Sequence, residues 1–173
     1  DPSGRYKGRI RRTAAFRPSN KVEDKIADHM HAGSHSSELF AGHAVDFLDN
    51  YKKSDPFFAY LAFMAPHDPR TMPQEFLDMY DASNIDIGDS FTTTHPFDNG
   101  ELTVRDELLA AIPRKESDVR QHVVEYFAMI SHMDAQIGKV IDALRDTGKL
   151  DDTIIVFASD NGLALGRHGL MGK

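Results

Sequence analysis

The sequence contains no cysteine. That absence removes a disulfide framework, a thiolate metal site and a cysteine nucleophile, and it leaves the compartment undecided. Long apolar runs are missing too, so no segment is expected to span a membrane. Asp1-Pro2-Ser3-Gly4 leads into a basic stretch and not into the apolar core of a leader, so no signal peptide is read there. Positive charge is in deficit, with 20 Lys and Arg against 27 Asp and Glu and a net charge of −7. Such a balance argues against a general nucleic-acid binder. What remains is a chain of 173 residues with 40% apolar content, enough for one domain with a core or for part of a larger one.

The exception to the acidic balance lies at the start. Arg5, Lys7, Arg9, Arg11, Arg12 and Arg17 flank Tyr6 and Phe16, and residues 1–35 show little periodicity. They read as a basic polar arm or loop, with an anionic polymer or another part of the protein as the sharper alternatives. Asp28, His29, His31 and His35 have the look of a metal cluster, but no regular pattern holds them, so a polar loop is the stronger reading over zinc.

Ser36 and Ser37 can cap a helix in which Leu39, Phe40, Ala44, Phe47, Leu48 and Tyr51 recur at helical spacing. The run from Phe57 to Met64 is continuously apolar, short and flanked by proline, which favours a strand buried on both faces. Pro73 to Tyr80 fits a short helix with proline in its first turn. Asp81 to Glu101 reads as a long loop of the functional or mobile kind, and Leu102 to Ile112 is a weak helix candidate. From Ser117 to Leu144, Val119, Val123, Phe127, Ile130, Met133, Ile137, Val140, Ile141 and Leu144 step by three or four and predict one long amphipathic helix. Gly148 is a plausible stop, and His122 and His132 fall off the apolar stripe and are expected to be exposed. Thr153 to Ser159 then reads as a second strand. The order of elements predicts an α/β layered domain. If the two strands are parallel, their ends share one edge, where open α/β sheets hold their ligands.

That edge carries the chemistry. Asp160 and Asn161 are hard oxygen ligands suited to calcium or magnesium, although Asp-Asn-Gly is also a common turn sequence. His67, between Pro66 and Asp68, is placed to protonate a leaving-group oxygen, or simply to hydrogen-bond within its loop. Arg167, His168 and Lys173 can hold an anion, with Lys173 as a point charge, and the glycines among them allow close backbone approach to a ligand. The bland alternative is a glycine-rich loop with incidental charge. A serine triad built on Ser34, His35 and Asp46 has no supporting spacing.

Taken together, Pro56 to His67, Tyr126 to Gly138, Thr153 to Asn161 and Gly166 to Lys173 resemble the type I, formylglycine-dependent sulfatases of the alkaline-phosphatase-like superfamily. The similarity covers residues 36–173 and is nearest to the arylsulfatase, choline-sulfatase and iduronate-sulfatase-like branch. The resemblance implies a mostly parallel sheet flanked by helices, with 36–173 forming the central to C-terminal part of an incomplete catalytic domain. It implies calcium on Asp160 and Asn161, a catalytic His67 that assists leaving-group departure, and a catalytic Lys173 on the sulfate oxygens. It makes His168 a pocket residue, and Arg167 and Arg70 contacts to the organic part of the substrate. His95 is a weaker suggestion of the same kind. A sulfated small molecule or sulfated glycan is the implied substrate, and a periplasmic, secreted or lysosomal setting the implied location.

The departures matter equally. The family's earlier Asp-Asp pair, its lysine-histidine pair and its C/S-x-P-x-R motif, which matures to formylglycine, do not appear. The chain therefore reads as an internal segment whose calcium site is incomplete and which is inactive alone. Two alternatives are a phosphoester hydrolase of the same superfamily and a non-catalytic truncated module, including an oligomer that buries its cut surfaces.

Overall fold

The computed structural model describes residues 30–31, 34–68, 70–98, 100, 102–104 and 106–173. Most of the basic arm, including Asp28 and His29, lies outside them. A two-residue hairpin, β1 (Met30–His31) and β2 (Ser34–His35), stands where a loop was expected. It leads directly into α1 (Ser36–Asn50). The N-cap of α1 is His35, one residue before the expected serines. Its Nδ1 accepts the amide proton of Ser37 at 3.1 Å, and its Nε2 lies 3.0 Å from the carbonyl of Thr71. Both ring nitrogens of this buried histidine are thereby committed to the backbone, which opposes the zinc reading.

The long helix α3 (Glu116–Asp146) is the spine of the molecule. Its 31 residues span about 46 Å at 1.5 Å per residue. Asp118 and Glu116 in its first turn suit the positive end of the helix dipole. Amide protons of Lys149 and Gly148 close its end on the carbonyls of Leu144 (2.8 Å) and Arg145 (3.0 Å), the paired bonds of a Schellman turn. Three apolar clusters line the helix. Near its C-terminus Ala41, Ala44 and Leu48 of α1 pack on Val140, Ala143 and Leu144. The small alanines let the two helices approach, and burying a side chain such as Leu48 contributes about 1.5–3 kcal/mol. In the middle, Ala128 and Met129 meet Ala65 and Met72. Near the N-terminus Val119, Val123 and Val124 pack on Ile85, Ala110 and Met171.

The middle of α3 departs from the apolar stripe. Phe127 is exposed, whereas His122, Glu125, His132 and Gln136 are buried. The expectation that His122 and His132 face solvent is thus overturned. His132 is 1% exposed, with its ring against those of His35 (4.6 Å between centroids) and Phe76 (5.1 Å), and its Nε2 3.7 Å from Glu38. These partners come from α1 and from α2 (Gln74–Leu77), a four-residue helix with Pro73 at its N-cap. The face that packs is set by where α1 and α2 supply polar partners, and periodicity of apolar residues does not report that. Leu102 to Ile112 yields only a 3-10 turn at Glu107–Leu109.

The two expected strands form no ladder among the described residues, and the parallel pairing of 57–64 with 153–159 is absent there. A strand is held by hydrogen bonds to a neighbouring backbone, and neither segment has one here. Phe57 rests on Phe47 and Tyr51, with ring centroids 5.3 Å apart in each case, and Phe63 approaches Phe40. Phe57 and Phe63 lie an even number of residues apart, so they share a face against α1. The opposite face is bare: Phe58 is 91% exposed, and in the second segment Ile154 is 93% exposed.

Candidate active site

The segment after Thr153–Ser159 begins with a turn that satisfies itself. The Asn161 amide donates to Asp160 Oδ1 at 2.8 Å, Ser159 Oγ donates to the Asn161 carbonyl at 3.0 Å, and Asn161 Nδ2 donates to Gly162 O at 3.2 Å. Both side chains are exposed. Residues 164–172 then form a closed loop. Amide protons of Ala164 and Gly166 bond the carbonyls of Gly172 (2.8 Å) and Leu170 (2.6 Å), and Met171, fully buried in the core, pins the loop to α3. Lys173 follows Gly172, whose carbonyl accepts the Ala164 amide proton. The lysine side chain is exposed.

Residues 90–95 of the long segment dock on this loop. The His168 amide donates to Ser90 O at 2.7 Å, the His95 Nδ1 lies 2.7 Å from the His168 carbonyl, and Arg167 forms a backbone bridge with Phe91. His168 itself has φ 54°, a left-handed conformation rare outside glycine. His95, His168 and Arg167 are thus gathered on one side of the loop. Gly166, Gly169 and Gly172 of the loop all approach other parts of the chain closely. A Cβ on Gly169 would lie 2.4 Å from His95 N and from the Thr94 carbonyl carbon.

Beneath the loop sits a pair that sequence reasoning missed. Arg114 is 2% exposed and its Nη2 lies 2.5 Å from Glu107 Oε2. Burial lowers the Arg114 pKa, and the charge of Glu107 opposes that shift. The only signal in the sequence was a charge on either side of the apolar run 108–112, which is weak.

His67 stands apart. It follows a cis Ala65–Pro66 bond, its amide donates to Met64 O at 3.1 Å, and its Nδ1 lies 2.8 Å from Asp68 O and 3.4 Å from Asp68 Oδ1. A proton on Nδ1, donated to that carbonyl, leaves the neutral ring's lone pair on Nε2. His67 makes no hydrogen bond with Asp160, Asn161 or Lys173. Arg70 is 4% exposed, with Nη1 2.5 Å from His122 Nδ1 on α3. Burial lowers its pKa, opposed by the charges of Glu125 and Asp68. An arginine so enclosed does not present itself to a substrate from the surface.

The donor types of Asp160 and Asn161 fit a hard cation, but their number does not complete a site. Calcium takes roughly six to eight oxygens. Among the described residues no three His, Asp or Glu side chains come together to hold a metal. With no cysteine in the chain, a cysteine-derived formylglycine has no residue to arise from here.

The comparisons with known proteins agree with the resemblance. A family model described as Sulfatase matches residues 5–173. An uncharacterised sulfatase of Schizosaccharomyces pombe is 35% identical over 145 residues, covering 74% of this chain and 26% of that protein. An arylsulfatase of Clostridium perfringens is 30% identical over 142 residues, covering 80% and 29%. Human iduronate 2-sulfatase is 32% identical over 143 residues, covering 75% and 26%. The chain belongs to the sulfatase family. That family has the alkaline-phosphatase-like α/β fold. The chain spans about a quarter to three tenths of the length of these relatives.

Proposed function

We propose that these residues form the leaving-group and anion-binding part of a sulfuric ester hydrolase. The observation that carries this reading is the closed loop 164–172, which has Asp160 and Asn161 just before it and an exposed Lys173 at its end. The Lys173 ammonium binds the non-bridging sulfate oxygens and offsets their charge, more strongly as the charge grows in the transition state. The imidazolium form of His67, its Nδ1 proton held by the Asp68 carbonyl, donates its Nε2 proton to the departing alcohol oxygen. It does so as a nucleophile supplied elsewhere in the protein bonds to sulfur and the S–O bond breaks, so that a neutral alcohol leaves and the ring returns to its neutral form. Asp160 and Asn161 would hold a calcium ion together with ligands from other residues, and the ion would offset charge on the sulfate oxygens. His168 is a pocket residue, and Arg167, with His95 near it, faces the organic part of the substrate, while the buried Arg70 acts through the charge of Asp68, the neighbour of His67. Residues 57–64 and 153–159 are strands of a mostly parallel sheet whose partners lie outside the described residues. The substrate class is a sulfated small molecule or glycan, in a periplasmic, secreted or lysosomal setting.

The test is sulfate release from an aryl sulfate by the full-length protein. His67→Ala should lower kcat by about 10²–10⁴-fold, and Lys173→Ala by about 10²–10³-fold. The isolated 173 residues, which have no C/S-x-P-x-R motif, should release none. Wild-type rates in both variants would remove the assigned roles. Turnover by the isolated chain that vanishes in His67→Ala would show that it contains a nucleophile of its own.

A further inference from the structure

We propose that Glu107 and Arg114 are positioning residues that fix the backbone from which Lys173 reaches its anion; the role given to the lysine rests on the sulfate-ester reading. Two opposite charges buried together lose their hydration, so such a pair is a poor source of stability alone. Here it converges on one segment. Glu107 Oε1 accepts the Gly172 amide proton at 2.8 Å, and its carboxylate accepts that of Met171 at 2.9 Å (Oε2) and 3.1 Å (Oε1). Arg114 donates from Nε to the Gly169 carbonyl at 3.0 Å, and from Nη1 to the carbonyls of Glu107 (2.8 Å) and Ala110 (2.5 Å). A single ion pair thus grips residues 169, 171 and 172, the last of them bonded to Lys173.

The approach is tight enough to need glycine. A Cβ on Gly172 would lie 2.7 Å from Asp106 Cβ and 3.1 Å from Glu107 Oε1. Lysine has a flexible four-carbon stem, so the position of its ammonium is only as defined as its Cα. That Cα lies about 3.8 Å from the Cα of the gripped Gly172. Because Arg114 neutralises Glu107, the tether adds no bare carboxylate to attract the ammonium away from an anion. The cluster where α1 meets α3 contains none of these residues, so the tether can be loosened while that packing stays intact.

Two measurements on Glu107→Gln and on Arg114→Lys, which keeps the charge but not the fork, test the proposal. The first is amide hydrogen exchange in the full-length protein. Exchange at Met171 and Gly172 should quicken about tenfold or more in both variants, with α1 amides unchanged. The second is a double-mutant cycle for aryl sulfate hydrolysis. Glu107→Gln should lower kcat about tenfold to a hundredfold, and should cost much less when Lys173 is already alanine. Unchanged exchange at 171 and 172, or kcat losses that multiply independently, would overturn the proposal. If the wild type releases no sulfate, the sulfatase reading fails and exchange alone decides whether the tether exists. If Glu107→Gln does not fold, Arg114→Lys carries both measurements.

Discussion

Gly169→Ala is the most demanding single test of how the loop is docked. Gly169 has φ +77°, and its position faces the backbone of Thr94 and His95, with the nearest atoms 2.4 Å from an added Cβ. Backbone cannot rotate aside as a side-chain tip can. The left-handed conformation costs an alanine about 1–2 kcal/mol. Forcing a methyl into filled space costs about 1–3 kcal/mol more. The expected loss is therefore about 2–5 kcal/mol, unless the 90–95 segment lifts away and takes the His95–His168 bond with it. Urea unfolding gives the loss, and limited proteolysis in 88–98 detects the lifting. Gly162→Ala is the control, because nothing lies within 4 Å of its added Cβ. It should stay within about 0.5 kcal/mol of the parent. Equal effects of the two substitutions, or a stable Gly169→Ala with unchanged proteolysis, would refute the docking described.

Arg70→Met is expected to lower stability in urea by about 3–5 kcal/mol, because it strips the buried Glu125 and His122 of their cationic partner. An unchanged or raised stability would mean that the desolvation that lowers the Arg70 pKa outweighs its attraction to Glu125 and Asp68. The isolated chain should associate with rising concentration in sedimentation, through Phe58, Tyr60, Ile154 and Val156 on unpaired extended backbone. Phe58→Lys with Val156→Lys should reduce that association, and a monomer at all concentrations in both forms would contradict it.

The helices were legible because their signals are local. Alternation by three and four located α3 within two residues at either end, and Gly148 marked its stop. The start of α1 at Ser36 was equally plain, although the cap proved to be His35. What escaped was set by distant partners. The polar face of α3 is buried because α1 and α2 bring Glu38, His35 and Phe76 to it, and no periodicity reports such pairs. Glu107 and Arg114 looked like ordinary charges beside a short apolar run. Their roles depend on main-chain groups more than fifty residues away. The two apolar runs were read as buried, paired strands, but a strand exists only with a neighbour, and neither has one among the described residues. Asp160, Asn161 and Lys173 stand in the sequence as a motif, and the closed loop 164–172 lies between them.

The measurement that bears most directly on the central claim compares sulfate and phosphate esters of one phenol, as kcat/KM, with the full-length protein and its Lys173→Ala variant. The account predicts that the sulfate ester is the better substrate and that its kcat falls about 10²–10³-fold in the variant. A preference for the phosphate ester, or sulfate turnover indifferent to Lys173, would contradict it.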